Sequence, residues 1–293
     1  MRRRCKTSTG VLPDGAAVAE AGTPAGDRWN PPPLGGGGSQ VVRLLTERGV
    51  PFRAMSRRER PGGARADFDD PVSLARAVAD VDTVFLVTVP PVPTADHDVA
   101  LVTAARAAGV RKIVKLSAIG SGERFDGATV GAWHLAAEEA IEASGLVWTM
   151  LRPPSFASNF LWYRALIQAG EPMPNLVGDS RQAIVDPRDV AAVAVGAMTS
   201  DAHDRRRYDL TGPELLTFAD QAAILEGVLE RPIKITDTNA LDQLPAGMVT
   251  GIGWARAGGA ACVTDHVPKV LGRSAGTFEQ WARDHREAFT AMP

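Results

Sequence analysis

From residue 41 onward, short apolar runs alternate along the chain with longer stretches in which apolar residues recur at helical spacing. The run 81–87 ends in four consecutive apolar residues, which is typical of a strand covered on both faces of a sheet. The helical stretch 96–108 ends at Gly109, a residue type that commonly terminates helices. Strands that alternate with helices form parallel sheets with right-handed crossovers. The pattern therefore predicts an α/β protein with a Rossmann-like, doubly wound parallel sheet.

The predicted elements divide the chain into a regular part and a looser part. In the regular part, strands are predicted at 51–56, 81–87, 112–117 and 147–151, and helices at 41–49, 70–78, 96–108 and 133–143. In the looser part, helices are predicted near 157–169, 187–199, 217–229 and 277–289, with short strands near 183–186, 206–210 and 232–236. Asp70 and Asp186, each followed by proline, predict helix caps. The looser part is expected to form a small, mixed C-terminal lobe over the carboxyl edge of the sheet, where open parallel sheets bind ligands.

Residues 1–34 lack this regularity and are rich in glycine, proline, alanine and arginine. We expect them to form an irregular N-terminal segment. The stretch 27–34 is excluded as a central strand, because its three consecutive prolines remove backbone donors and fix φ. The best strand-like piece, 15–20, is weakly apolar and lies too far from Gly35 for a tight turn. The sequence therefore predicts a first strand that is degenerate or missing, and an imperfectly filled slot in the sheet.

Four consecutive glycines, 35–38, lie directly before the first predicted helix. Backbone N–H groups at such a helix start bind phosphate, and glycines at GxxGxxG spacing are a usual form of this site. Gly35 and Gly38 match the last two glycines of that spacing, whereas Pro32 stands at the first. A flexible linker ahead of a helix is the alternative interpretation. The sheet pattern favours the phosphate loop, and with it an NAD(P)-binding domain at 35–155 and a substrate lobe at 156–293 that is interwoven with it.

Ser56, Arg57 and Arg58 follow the second predicted strand, at the position that faces the adenosine ribose in nucleotide-binding sheets. A carboxylate there would bind a ribose hydroxyl, whereas an arginine pairs with a 2′-phosphate through its planar fork. The two arginines predict NADP rather than NAD as the cofactor; a solvated run of charges is the alternative. Further cofactor contacts are predicted at a turn and at strand ends, namely at Asp67, Phe68, Val87, Thr88, Pro90, Ser117 and Ala118. For Asp67 and Phe68, a simple turn that leads to the cap at Asp70 is an equal alternative.

Four segments follow one another in the order and with the residues of a known family: VDTVFLV at 81–87, AGVRKIVKLSA at 108–118, ASGLVWTMLRP at 143–153 and YDLTGP at 208–213. The chain resembles the NmrA-like branch of the atypical short-chain dehydrogenase/reductases. Within this branch, it most resembles the bacterial proteins that are related to ergot-alkaloid reductases. The resemblance runs from about residue 35 to the end, including the tail segment 270–281. It implies a Rossmann fold, an NAD(P) cofactor and a cleft. The cleft is expected to be roofed by Pro153, Pro154 and Phe156, which would also contact the cofactor, and by Asn159 and Phe160, which would face the substrate. Trp162 follows this segment and is expected to face the substrate.

Typical members of the wider superfamily carry a Tyr-x-x-x-Lys pair, in which the lysine lowers the tyrosine pKa for proton transfer. This chain has two tyrosines, Tyr163 and Tyr208, and neither is followed by lysine four residues later. By the resemblance, the tyrosine position falls on Val130 and the lysine position on His134. His134 is therefore the candidate catalytic residue, as a proton donor near neutral pH or as a polar group that faces the substrate. A structural role in an amphipathic helix is the alternative.

Composition narrows the remaining possibilities. The formal net charge of −2 gives no reason to expect nucleic acid or an anionic membrane as a partner. The two cysteines are too few for a disulfide framework, no apolar run reaches membrane-spanning length, and the histidines show no metal-binding spacing. We expect a cytoplasmic monomer or homodimer without a metal, acting on a small-molecule substrate.

Together these observations predict an NAD(P)H-dependent oxidoreductase that reduces a small, partly apolar organic substrate. An activated acceptor of the iminium, enone or carbonyl type suits a site without tyrosine, because hydride transfer to it needs less help from an acid. Two alternatives stay open. One is a non-catalytic regulator that senses NAD(P), and the other is a product that binds no cofactor because of its altered N-terminus.

Overall fold

The computed structural model describes residues 16–21, 37–57, 63–88, 92–239, 241 and 244–290, with the backbone alone for 16–21 and Gly37. Seven strands form one parallel sheet in the order β10-β8-β5-β4-β1-β2-β3. They are β1 (Ala16–Ala21), β2 (Phe52–Ser56), β3 (Ala64–Arg65), β4 (Thr83–Thr88), β5 (Lys112–Leu116), β8 (Val147–Arg152) and β10 (Arg206–Asp209). Two short pairs lie outside the sheet: the hairpin of β6 (Arg124–Phe125) and β7 (Ala128–Thr129), and β9 (Met173–Asn175) beside β11 (Ile235–Asp237).

Helices connect and cover these strands. They are α1 (Gly37–Glu47), α2 (Pro71–Ala77), α3 (Asp96–Ala107), α4 (Ala132–Ala143), α5 (Arg164–Ala169), α6 (Pro187–Thr199), α7 (Phe218–Leu229), α8 (Ala246–Arg256), α9 (His266–Leu271), α10 (Phe278–Asp284) and α11 (Arg286–Thr290). Asp70 accepts hydrogen bonds from the first-turn amides of α2, and Asp186 caps α6 in the same way. Both predicted caps are therefore confirmed, and each holds a helix start at the residue that the sequence indicated.

Each face of the sheet has its own apolar core. Successive residues of a strand point to opposite faces, and Val84, Leu86 and Ile113 pack against α2, α3 and α4 on one face. The intervening residues, among them Phe85 and Val114, meet α1 and α6 on the other face. Helices on both faces of a parallel sheet define a doubly wound fold, so the predicted fold class is confirmed.

The C-terminal part of the chain contributes to both the sheet and a separate core. Helix α6 and strand β10 come from residues beyond 156, yet they cover and extend the sheet. A third apolar cluster joins the 3₁₀ segment Ala157–Tyr163 to α5, α7, α10 and α11. The C-terminal lobe is thus built around its own aromatic cluster while part of it completes the sheet.

The first strand corrects one expectation. Strand β1 lies between β2 and β4, with Ala16 opposite Phe52 on one side and opposite Thr83 on the other. It occupies much of the weakly apolar piece predicted as the best candidate, so the first strand is not missing and residues 1–34 are not irregular throughout. The physical reason is that an empty central slot would leave the backbone groups of both neighbours unpaired, and even an alanine-rich strand satisfies them. The connection that contains Pro32 and Gly35 lies outside the described residues.

Several elements of the looser part differ from the prediction. Residues 183–186 form no strand, since Val185 and Gln182 each make a single isolated bridge, to Phe156 and Leu216. The hairpin β6–β7, strand β9 and helices α8 and α9 were not predicted. Helix α6 spans the residues predicted for it, and α7 begins one residue later than predicted. The regular caps of these two helices explain why they were easier to recognise.

Candidate active site

A group of polar side chains collects at the carboxyl edge of the sheet. The strands are parallel, so the ends of β4, β5 and β8 meet at this edge, marked by Thr88, Ser117 and Arg152. Alternation along β5 places Lys115 and Ser117 on the same face as Ile113, the face covered by α3 and α4. The polar side chains of three strands therefore meet those of two helices at one edge.

Thr88, Lys115 and Asp98 form a buried triad at this edge. The Lys115 ammonium is fully buried and lies 2.7 Å from the Asp98 carboxylate. The Thr88 hydroxyl donates to Asp98 at 2.7 Å and accepts from Lys115 at 3.2 Å. Asp98 comes from the first turn of α3, which begins at the same edge. The predicted cofactor residue Thr88 therefore has its hydroxyl proton committed to Asp98.

Ser117, Glu138 and Arg152 form a second buried network beside the triad. The Ser117 hydroxyl donates to Glu138 at 2.5 Å. Arg152 holds the same carboxylate through two nitrogens, at 2.9 and 2.5 Å, and this hydrogen bonding raises the arginine pKa. Arg207 approaches Glu138 at 3.5 Å from the neighbouring strand β10. With its proton directed at a clamped carboxylate, Ser117 offers only acceptor lone pairs to a ligand.

His134 lies on α4 one helical turn before Glu138, so both side chains share one face of the helix. Its Nδ1 atom is buried and has no hydrogen-bond partner among the described residues. Burial, followed by the positive charges of Lys115 and Arg152, holds the His134 pKa well below its ordinary value. At neutral pH the ring is therefore uncharged, and it lacks the extra proton that an imidazolium acid would transfer. It can still take part in hydrogen bonds as a neutral ring.

The start of α4 is a tight turn beside the strand ends. Gly131 caps the helix at φ 55°, and a Cβ atom there would come within 2.7 Å of the Ser121 hydroxyl. No side chain caps this helix start, and its first turn carries no acidic residue. Only a residue without a side chain brings the chain so close to Ser121 while adopting a left-handed backbone. The helix start is thereby fixed next to Ser117 and the loop that follows it.

Helix α8 of the C-terminal part covers the start of α4. A Cβ atom on Gly247 would lie 2.9 Å from the Trp133 ring and 3.4 Å from Pro93. The Trp133 ring in turn packs against His134, with 4.7 Å between ring centroids. Further along α8, the Trp254 indole donates to Glu123 at 2.9 Å. These contacts place apolar and aromatic walls on the side of the site that faces the C-terminal lobe.

The start of α1 supplies a place for phosphate at the same edge. Since α1 connects the parallel strands β1 and β2, it runs opposite to them and begins at their carboxyl ends. It has 11 residues and starts at Gly37 and Gly38, with no acidic side chain in its first turn. Open backbone N–H groups at such a helix start fit a pyrophosphate. Of the predicted loop glycines, Gly38 is buried here, whereas Gly35 lies outside the described residues.

The predicted adenosine contacts are only partly described. Ser56 ends β2 and Arg57 follows it, whereas Arg58 and Pro90 lie outside the described residues. The Asp67 carboxylate accepts the amide of Asp69 within its own turn. Phe68 is buried and stacks on His97 with 5.0 Å between ring centroids.

The remaining predicted residues of the strand ends differ in their orientation. The Val87 side chain faces the core of α1 and α6, so only its backbone borders the edge. Ala118 is half-buried, and its carbonyl accepts the Ser121 hydroxyl. The Pro153 carbonyl accepts the amide of Ile119, which ties the ends of β5 and β8 together. Pro154 follows as a half-buried residue.

The predicted cleft roof contains one correction. Phe160 is 3% exposed and packs against Phe218 and Phe278 in the core of the C-terminal lobe, so its ring does not line a cleft. Apolar burial among other aromatic rings decides this orientation. Phe156 bridges to Val185, and the Asn159 amide donates to Ser155 at 3.4 Å. Trp162, 37% exposed, stays at the surface of this segment.

Neither tyrosine is placed like an activated acid. The Tyr163 ring packs edge-on against Phe160, and the hydroxyl of Tyr208 on β10 lies 2.9 Å from Nδ1 of His203. Burial raises the pKa of both phenols, which is the opposite of what proton transfer near neutral pH requires. Val130, at the position of the superfamily's tyrosine, is buried against Trp254.

Sequence reasoning did not single out Lys115, Asp98, Glu138 and Arg152. A usable signal was present, since two lysines interrupt the otherwise apolar strand KIVKL, and a charged residue inside a central strand needs a buried partner. Glu138, four residues after His134, carries the same signal on the facing helix. Among the described residues, no three histidine, cysteine, aspartate or glutamate side chains are grouped to hold a metal ion.

A parallel sheet with a glycine-started helix and a polar carboxyl edge defines a dinucleotide-binding protein. The chain belongs to the NAD(P)H-binding family, whose model matches residues 34–201, and the predicted NmrA-like resemblance is confirmed. It is 36% identical over 280 residues to an NAD(P)H azoreductase of Xenophilus azovorans, covering 87% of this chain and 96% of that protein. It is 30% identical over 207 residues to an agroclavine dehydrogenase of Claviceps fusiformis, covering 66% of this chain and 70% of that protein.

The solved structures show the same fold. An NADPH-dependent quinone oxidoreductase of Escherichia coli, solved with NADPH, has a TM-score of 0.73 at 21% identity and covers 92% of this chain and 99% of its own. The chain is therefore an NAD(P)H-dependent oxidoreductase by family, as the curated relatives establish. Within the described residues, no helix combines the length and apolarity needed to cross a membrane.

Proposed function

We propose that this protein reduces a small, partly apolar organic acceptor with NADPH, and that it prefers NADPH to NADH. The observation that carries the proposal is the convergence of the α1 start with the polar ends of β4, β5 and β8 at one sheet edge. Ligands of doubly wound sheets bind at this edge. When bound, the dihydronicotinamide supplies the hydride, and the protein residues bind, orient and shield it.

The described residues suggest how the cofactor would be held. The amides that begin α1 at Gly37 and Gly38 would bind the pyrophosphate. Arg57, directly after β2, would pair with a 2′-phosphate, together with Arg58, which follows it in sequence. Ser117, as a pure acceptor, would bind a donor group such as a ribose hydroxyl or the carboxamide N–H.

The acceptor is inferred from the state of the protons at this edge. The hydroxyl protons of Thr88 and Ser117 are both committed to buried carboxylates, and His134 is uncharged at neutral pH. The substrate should therefore accept a hydride without proton transfer from a strong protein acid, as iminium ions and conjugated enones or carbonyls do. The names of the relatives, an azoreductase, an agroclavine dehydrogenase and a quinone oxidoreductase, agree with activated acceptors of this general kind.

Fluorescence titration of the purified chain with NADPH and with NADH tests the proposal, followed by NADPH consumption with a panel of quinone, enone and iminium acceptors. We expect tighter binding of NADPH and acceptor-dependent oxidation. Binding without oxidation by any acceptor would favour a regulator that senses the nucleotide. Failure to bind either nucleotide would favour the third alternative, a chain whose N-terminal segment, with Pro32 at the first position of the glycine spacing, forms no cofactor site.

A further inference from the structure

The start of α4 has backbone N–H groups at the sheet edge that have no partner among the described residues. The first hydrogen bond that its amides make to the preceding turn runs from Leu135 to the Gly131 carbonyl, so the amides of Ala132, Trp133 and His134 precede it. The helix has 12 residues, and no side chain caps this end. Helix starts of this kind carry partial positive charge and attract negative charge.

A second observation comes from the His134 side chain at the same helix start. Its Nδ1 atom is buried without a partner among the described residues, although buried polar atoms nearly always have one. The ring packs against Trp133, which α8 covers through Gly247. A buried polar atom without a partner, beside open amides, is the arrangement expected where a ligand supplies the missing partner.

The two cations that act on His134 are each paired with a buried carboxylate, Lys115 with Asp98 and Arg152 with Glu138. Lys115 and Arg152 both act on the His134 ring and, after burial itself, oppose its protonation. Both carboxylates are thus already engaged in ion pairs, and neither is left to balance a further positive charge beside the ring. A cationic iminium ion would meet the same opposition, whereas an oxyanion or a nitrogen anion would be stabilised.

We infer that the start of α4, with His134, is an anion-stabilising site that accepts the negative charge left on a neutral substrate after hydride transfer. The protein should then prefer neutral quinone, enone or azo acceptors to cationic iminium ions. This inference rests on the proposed reductase function and narrows its substrate class. It assigns to backbone amides and a neutral histidine the role that charge-stabilising donors play in other active sites.

The chemical step balances without a strong protein acid. A neutral quinone takes a hydride, that is two electrons and one proton, from the dihydronicotinamide, which leaves as NADP⁺. The acceptor becomes a hydroquinone monoanion whose oxygen lies at the α4 start, and water then supplies the second proton. With an enone the hydride adds at the β-carbon, the enolate oxygen carries the charge, and water protonates the α-carbon.

Binding of 4-nitrophenol to the NADP⁺-saturated protein tests the anion site without turnover, because phenol and phenolate differ in absorbance. We expect the phenolate to bind roughly tenfold more tightly than the phenol, so that the pKa of the bound probe falls by about one unit. His134→Leu should remove most of this preference, and His134→Gln, which keeps an N–H donor, should retain it. His203→Gln is the matched control, since that half-buried histidine lies beside Tyr208 on β10.

Two results would overturn the inference: equal affinity for phenol and phenolate, or a phenolate preference that survives in a folded His134→Leu variant. Circular dichroism verifies folding, and His134→Gln provides the test if the leucine variant fails to fold, because a lost preference there contradicts the donor role.

Acceptor competition separates this inference from the reductase proposal. The kcat/KM for a neutral quinone should exceed that for an N-methyl dihydroisoquinolinium cation, and His134→Leu should lower the quinone value by about tenfold or more. Faster reduction of the cation would reject the anion site while leaving the reductase function intact. Phenolate preference without NADPH oxidation by either acceptor would reject the reductase function and leave the anion site intact.

Discussion

Lys112 and Lys115 belong to the same strand, and both side chains are fully buried. They point to opposite faces of the sheet, and Lys112 lies at the amino end of β5 whereas Lys115 lies towards its carboxyl end. Lys112, at the amino end, donates to the carbonyls of Ala197 and Ser200 where α6 ends, and also reaches Asp201 and Asp204. Lys115, towards the carboxyl end, bonds only side chains in the contacts described, Asp98 and Thr88.

The difference between the two lysines distinguishes the amino edge of the sheet from the carboxyl edge, where the candidate site lies. At the amino edge, Lys112 satisfies backbone carbonyls at the end of a helix, and it has two carboxylate partners, of which Asp201 is largely exposed. At the carboxyl edge, Lys115 and the buried Asp98 bond to side chains and not to backbone carbonyls in the contacts described.

Removing the acidic partner of each lysine should sharpen this contrast most strongly. Asp98→Ala leaves the Lys115 ammonium buried without its counter-charge, which typically costs about 3–5 kcal/mol of unfolding free energy. Asp201→Ala removes the exposed one of the two carboxylate partners of Lys112, which keeps Asp204 and its two carbonyls, and should cost less than about 1 kcal/mol. Urea denaturation of the two variants measures both values.

The double change Asp98→Leu with Lys115→Met is the control for this comparison. Replacing a buried ion pair by apolar side chains is often neutral, so the double variant should recover most of the stability lost in Asp98→Ala. Equal losses for Asp98→Ala and Asp201→Ala would contradict the distinction between the two edges.

Much of this architecture could be predicted, because it depends on periods and caps that are local in sequence. The order of strands and helices could be predicted from three local signals: the apolar run at β4, the cap at Asp186 and the glycine after α3. Helix α8 was missed because three glycines lower its helix propensity. Two of them, Gly247 and Gly253, are needed for close approach to Trp133 and Phe125, a tertiary reason that a local pattern does not show.

The candidate site could be located by sequence but not assembled. Parallel-sheet topology places Ser117 and Thr88 at the carboxyl edge, which the order of strands predicts. The Ser117 hydroxyl donates to Glu138, 21 residues away, and the Thr88 hydroxyl donates to Asp98, 10 residues away. Both carboxylates reach these hydroxyls only because their helices pack on the sheet. Strand β1 was doubted for a related reason, since its alanines give little strand propensity and its pairing is set by two distant neighbours.

The next prediction compares arginines at the two edges. Arg57→Ala with Arg58→Ala, at the carboxyl end of β2, should weaken NADPH binding by about 1.5–3 kcal/mol and spare NADH, because charged hydrogen bonds to a 2′-phosphate are lost. Arg48→Ala, an exposed residue after α1 at the amino edge, should change neither affinity. Fluorescence titration gives both constants, and equal loss for the two nucleotides would remove the NADP assignment.

The smallest effect concerns pH and the histidines of the two edges. Burial lowers the pKa of both His134 and His203 in the folded protein. At mildly acidic pH, the unfolded chain therefore binds more protons at these two histidines than the folded protein does. The unfolding free energy should therefore be highest above the ordinary histidine pKa of about 6.5 and should decrease as pH falls below it, towards the folded pKa values. A histidine that is protonated in the unfolded chain and neutral in the folded protein changes the unfolding free energy by at most about 1.4 kcal/mol per pH unit. His134→Gln should flatten this slope more than His203→Gln, because burial and two cations lower the pKa of His134 further than that of His203. Urea denaturation between neutral and mildly acidic pH measures the slopes, and a stability that rises on acidification in this range would show that His134 is not held neutral by its surroundings.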